Sequence, residues 1–113
     1  MHEILTRQQK RAQAAHGRVT TQIGRVDKDK YSQLAKKFPA LVHSCGLAQA
    51  VAFVDAKEGN TGSTYLQDLA CVMKEEDLKV MSRTSPLIRY QRLTLEAIES
   101  ATWLKRFSEA LLE

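Results

Sequence analysis

Apolar positions recur along the chain at steps of three, four and seven, the spacing of one face of an α-helix. Leu5, Ala12, Val19, Ile23 and Val26 make a narrow seam that predicts a first helix over residues 3–26, with Gly17 as a place where it could break. Asp27 or Asp29 caps a second helix whose inner face is Tyr31, Leu34, Ala35, Phe38, Leu41 and Val42. Pro39 either kinks that helix or opens the next one. The run Leu47 to Val54 carries no charge, and its side chains surround the helical cylinder. A helix apolar all round is buried or crosses a membrane, and this run is far short of the roughly 20 apolar residues a bilayer needs. A buried central helix over about 39–57 is therefore expected, with Gly46 at a close approach and Gln49 needing buried partners.

Glu58 to Gly62 reads as the clearest loop, with two glycines and an asparagine. Ser63 or Thr64 caps a fourth helix that turns Leu66, Leu69, Ala70, Met73 and Val80 inward, and Glu75-Glu76-Asp77 reads as a solvated helix end. Thr84-Ser85-Pro86 joins a hydroxyl cap to a proline at a first helical position. The last helix runs from there almost to Glu113, with Leu87, Tyr90, Leu93, Ala97, Ala101, Leu104 and Leu111 inside. Arg92, Glu96, Glu99, Trp103 and Arg106 lie outside. No period-two alternation and no repeat appears. The expected fold is all-α, a compact single domain over 1–113 of five to six helices.

Composition leaves that picture intact, since 43% apolar and 27% charged residues are ordinary for a globular protein. The amino terminus lacks an apolar leader, so a cytoplasmic protein without a membrane partner is expected. Cys45 and Cys71 sit in apolar surroundings without metal-ligand spacing and read as buried thiols, although a disulfide between them stays open. Charge does change the picture. Residues 1–40 carry nine Lys or Arg against three acids, whereas the rest carry eight against ten. Arg7, Arg11, Arg18 and Arg25, with Lys10 beside them, form a stripe of roughly 27 Å on a continuous helix at about 1.5 Å per residue. A solvated face would mix signs for i,i+4 pairing, and this one nearly lacks acids. The stripe points to a polyanion held by its phosphate backbone rather than its bases, against the plainer reading of a solvated surface.

Three other features bear on function. Arg11 and His16 have the Arg-x4-His spacing that some all-α ribonucleases of the HEPN class use, but Ala12 stands where those enzymes usually carry a polar residue. No glycine loop for phosphate, no paired acids and no metal-ligand set accompanies the pair, so neither cofactor nor metal is expected. Trp103 falls among charged residues, where it is either half-covered by a neighbouring helix or an interface anchor.

The block Tyr31…Phe38-Pro39-Ala40-Leu41-Val42…Gly46-Leu-Ala-Gln-Ala-Val-Ala-Phe53…Lys57 resembles the small all-α subunit of the type III-B CRISPR effector, the Cmr complex. The later block Tyr90…Thr94-Leu95-Glu96-Ala97…Trp103-Leu-Lys-Arg106-Phe107 is similar to the same family. The resemblance implies a non-catalytic subunit in antiviral defence that stacks head to tail with copies of itself. The stack would form a minor filament beside the guide-RNA-bearing backbone subunits, meet the large Cas10-type subunit and line the path of target RNA. Carried onto this sequence, Arg7, Lys10, Arg11, Arg18, Arg25, Lys36 and Lys37 would face RNA backbone. Arg92, Glu96, Trp103 and Arg106 would serve subunit contacts. A small ribonuclease using Arg11 and His16, or a pure protein–protein adaptor, are the alternative readings.

Overall fold

The computed structural model describes residues 4–113, and the expected helix start at residue 3 lies outside them. Six helices follow in order: α1 (Arg7–Gln22), α2 (Lys28–Cys45), α3 (Leu47–Lys57), α4 (Gly59–Met73), α5 (Leu78–Thr84) and α6 (Leu87–Leu111). No strand occurs among the described residues. Thr6 and Gln9 form a reciprocal capping box at the start of α1, which removes two otherwise unpaired backbone donors. The helix passes through Gly17 and ends at Gln22, so Ile23 leaves the seam and is exposed. Arg25 then sits in a turn, where its N–H donates to the Gln22 carbonyl. Asp27 caps α2 by accepting from the N–H groups of Asp29 and Lys30.

The expected continuous central helix is two helices. Pro39 lies inside α2 without ending it, because Leu34, Ala35, Phe38 and Val42 on either side are all buried and hold that face in place. The break falls instead at Gly46, whose φ of 87° is open mainly to glycine. The Tyr90 hydroxyl fills the corner and accepts the Ala48 N–H at 3.0 Å, a cap the glycine itself cannot supply. Leu47, Ala50, Val51 and Val54 of α3 are buried, whereas Gln49, Ala52 and Phe53 face solvent, so α3 is covered on one side only.

The expected loop at Glu58–Gly62 contracts to Glu58, because α4 already starts at Gly59. Gly62 is there for proximity rather than for turning. A Cβ on it would stand 2.6 Å from the Val54 carbonyl oxygen, so α3 and α4 touch backbone to backbone. At the far end of α4, Lys74 takes a left-handed conformation and Glu75 donates its N–H to the Ala70 carbonyl. Asp77 caps α5. Neither Thr84 nor Ser85 caps α6; Pro86 occupies the cap position and the Thr84 hydroxyl donates back to the Val80 carbonyl.

Helix α6 packs on α2, α1 and α4, and α3 packs on α4, α2 and α5. The molecule measures 39 × 36 × 21 Å, its least dimension equal to about two helix diameters. Tyr65 lies at the centre, edge-on to Tyr31 at 5.7 Å and to Phe38 at 5.3 Å. Leu87 was expected inside but is 70% exposed, as are Ile88 (77%) and Leu95 (64%), because the first turns of α6 project beyond the helices that cover the rest. Val80, expected inside on the fourth helix, belongs to α5 and is 39% exposed. Cys71 is exposed and Cys45 half-buried, both as free thiols, which corrects the expectation of two buried ones.

Candidate nucleic-acid interface

The α1 stripe is not one surface. Arg11 is buried and its guanidinium is tied to the Glu99 carboxylate of α6. Arg18 turns the other way, and its Nε donates to Asp68 Oδ1 of α4 at 2.8 Å. Lys36 pairs with Glu113 at the end of the chain, and Lys37 reaches Glu58 at 2.6 Å. Arg7, Lys10 and Arg25 are exposed and make no ion pair among the described residues.

Asp68 is the polar centre of the molecule. It is wholly buried and accepts from Tyr31 Oη at 2.6 Å, from Arg18 Nε at 2.8 Å and from Gln22 Nε2 at 3.2 and 3.3 Å. A carboxylate inside a protein persists only with such partners. Its hydrogen bond and charge raise the Arg18 pKa above the usual guanidinium value. Burial, then the charge of Asp68, hold the hydroxyls of Tyr31 and Tyr65 in their protonated forms well beyond the usual phenol range. The cluster joins α1, α2 and α4.

A second polar chain ties α1 to α6. Trp103 is half-buried, and its indole N–H donates to Gln8 Oε1 at 2.6 Å. Gln8 Nε2 in turn donates to Glu99 Oε2 at 3.1 Å, the carboxylate that also holds Arg11. Phe107 stacks on the Trp103 ring at 5.9 Å and meets the edge of His16 at 5.2 Å, while the Arg106 guanidinium stands 5.3 Å from the indole centroid. Arg11 and His16 thus both serve the α1–α6 seam, Arg11 through a carboxylate and His16 through an aromatic edge.

Arg7, Lys10 and Arg11 of α1 line a groove of about 310 Å³ with Val72, Met73 and Lys74 of the α4 end and Glu96 of α6. Of the residues expected at a subunit interface, Glu96 therefore lies with the cations, Trp103 and Arg106 lie on the α1–α6 seam, and Arg92 is exposed beside the Leu87–Ile88–Leu95 strip. A larger groove of about 640 Å³ runs between α4 and α5 past Cys71, with Glu75, Glu76 and Asp77 on its wall. No group of His, Cys, Asp and Glu among the described residues converges as a metal site. None of the described helices is long and apolar enough to cross a membrane. Asp68 and Lys74 had no part in the sequence reading. Asp68 had one signal there, a lone acid one turn from Tyr65 and Val72 on the inner face of α4.

The fold and site define a small all-α protein whose internal charges bind helices together and whose remaining cations are open to a partner. The family described as "CRISPR-associated protein (Cas_Cmr5)" matches residues 7–111. The Cmr subunit Cmr5 of the CRISPR system of Thermus thermophilus is 38% identical over 111 residues, covering 96% of this chain and 97% of that protein. The crystal structure of a CRISPR-associated Cmr5 family protein from Thermus thermophilus superposes with a TM-score of 0.88 at 38% identity, covering 96% of this chain and all of that one. The chain belongs to the Cmr5 family of CRISPR-associated proteins.

Proposed function

We propose that the chain is a non-catalytic subunit of a type III-B CRISPR effector, the Cmr complex. In this reading it stacks with its own copies as a minor filament along the guide-RNA-bearing backbone, meets the large Cas10-type subunit, and lays basic surface against target RNA. The observation that carries the reading is the end-to-end match to a Cmr subunit, 96% of this chain on 97% of the relative. The open cations Arg7, Lys10 and Arg25 are the first candidates for phosphate. Lys36 and Lys37 join them, because exposed ion pairs are worth only about 0–1 kcal/mol and an incoming phosphate can displace them. Arg11 and Arg18 support the surface from behind. A ribonuclease using Arg11 and His16 loses ground, because Arg11 is buried and its guanidinium is already tied to Glu99.

Two measurements on the full chain test the reading. The protein is added to purified backbone and large Cmr subunits, and its entry into the complex is followed by size-exclusion chromatography and electron microscopy. RNA binding is then measured across a salt series for the parent and an R7E/K10E/R25E variant, with the RNA recovered on a gel. Assembly, salt-dependent binding lost in the variant, and intact RNA are expected. Exclusion from the complex, or cleaved RNA, would refute it.

A further inference from the structure

The groove between α1, the α4 end and α6 concentrates open positive charge from two separate parts of the chain. Arg7 and Lys10 are neighbours on one face of α1, three residues apart, and Lys74 faces the same space from α4. All three are exposed and make no ion pair among the described residues. Arg11 lines the wall already neutralised by Glu99. One half-buried carboxylate, Glu96, opposes them.

Lys74 is placed there by the backbone. It is the one non-glycine residue of positive φ among those described, at 60°, in a position usually filled by glycine or asparagine. A lysine is strained there where a glycine would not be, and its charge at the negative end of the α4 dipole offsets part of that strain. Its side chain lines the groove together with Arg7 and Lys10.

We propose that this groove seats one backbone phosphate of single-stranded RNA, with Arg7, Lys10 and Lys74 as its ligands. The inference rests on the RNA-contact reading above and moves the contact from a helix face to a defined place. Volume sets the scale: about 310 Å³ is at the lower end of ligand-pocket sizes, roughly 300–1,000 Å³, enough for one nucleotide unit and not a stretch of strand. Buried Val72 and Met73 give an apolar floor for a ribose or base beside the phosphate. Charge selects the partner class, because the centres of protein interfaces are depleted of charged residues and this centre is built from them. Glu96 repels a second phosphate and limits the seat to one.

The test uses the full-length protein and a fluorescein-labelled twelve-nucleotide polyuridylate, titrated across a salt series. Lys74→Gly is the central variant, since glycine suits the left-handed backbone and removes the cation without a folding penalty. Several-fold weaker binding is expected, with the log–log salt slope shallower by about 0.7, the value of one single-strand phosphate contact. Arg7→Ala should do the same, Glu96→Gln should tighten binding, and Lys57→Ala, outside the groove, should change nothing. If K74G and R7A keep the parent slope while the parent binds RNA, the groove proposal fails and the RNA-contact reading stands. If the parent shows no salt-dependent RNA binding, both fail. If instead polyglutamate binds, with loss in K74G, the groove belongs to an acidic protein partner and the proposal is overturned.

Discussion

Replacing Asp68 by alanine tests whether the buried carboxylate holds the three helices together. Asp68 accepts from Tyr31, Gln22 and Arg18, of which Tyr31 and Gln22 are themselves buried. In the variant both keep a buried donor without an acceptor, at about 1–3 kcal/mol each. Arg18 adds little, because its side chain is 36% exposed and its guanidinium can turn back to water. Relief from desolvating the carboxylate offsets part of the sum. The expected loss is about 3 kcal/mol, at the low end of the roughly 3–5 kcal/mol found when one partner of a buried pair is removed. For a chain of this size about 4 °C of melting temperature goes with each kcal/mol, so D68A should melt about 12 °C below the parent. Urea unfolding followed by far-ultraviolet circular dichroism gives the free energy directly. A double-mutant cycle with Tyr31→Phe isolates the strongest contact, and Y31F should cost clearly less in the D68A background than alone. A D68A loss below about 1 kcal/mol, or strict additivity with Y31F, would refute the reasoning.

Stability should fall as pH rises above about 10, because burial raises the ionisation of Tyr31 and Tyr65 above the unfolded value of about 10. Above that pH the unfolded chain releases protons that the folded chain keeps, so each tyrosine removes about 1.4 kcal/mol per pH unit until its folded pKa is passed. Alkaline unfolding curves should lose half that slope in Y31F, and an unchanged slope would count against the assignment. Gly62→Ala should destabilise by about 1–3 kcal/mol, since its Cβ meets a backbone oxygen that cannot step aside; a neutral melting shift would mean α3 and α4 can separate freely. Glu99→Ala should cost about 1–2 kcal/mol, between the values for exposed and buried pairs, because Arg11 is buried and Glu99 is 45% exposed. That variant frees Arg11 and should still leave RNA intact on a gel; cleavage by it would revive the ribonuclease.

Periodicity was enough to find the inner face of α2, most of that of α6 and part of that of α4, where it missed Tyr65, Asp68 and Val72, because helix packing reads the same spacing that the sequence displays. The errors fall where local punctuation and tertiary packing disagree. Pro39 normally marks a boundary, yet the apolar face from Tyr31 to Val42 is buried continuously and carries the helix through it. Gly59 and Gly62 together look like a loop, but Gly62 is selected by the Val54 carbonyl pressed against it, a contact that no local rule contains. Gly46 was read as a close approach. A Cβ there would meet the Tyr90 hydroxyl at 3.4 Å, an ordinary contact, and glycine is needed instead for the turn that splits the expected central helix.

The basic stripe shows why charge is legible in sequence while its purpose is not. A face of α1 without acids violates the usual mixing of signs, and a polyanion is the simplest remedy. The fold supplies part of the remedy internally: Arg18 meets Asp68, 50 residues away, and Arg11 meets Glu99, 88 residues away. Asp68 occupies a buried position of α4, and Glu99, read from the sequence as facing outward, lies against Arg11. A buried carboxylate must find a donor, so excess donors on one helix and an unmatched acid on the inner face of another are one observation seen from two ends. What survives the pairing is smaller and better defined than the stripe. Arg7 and Lys10 keep their charge, and Lys74 joins them through a backbone turn that its own side chain does not favour. Charges that the fold neutralises in its interior explain how the helices are held, and only the open or weakly paired ones at the surface can be assigned to a partner.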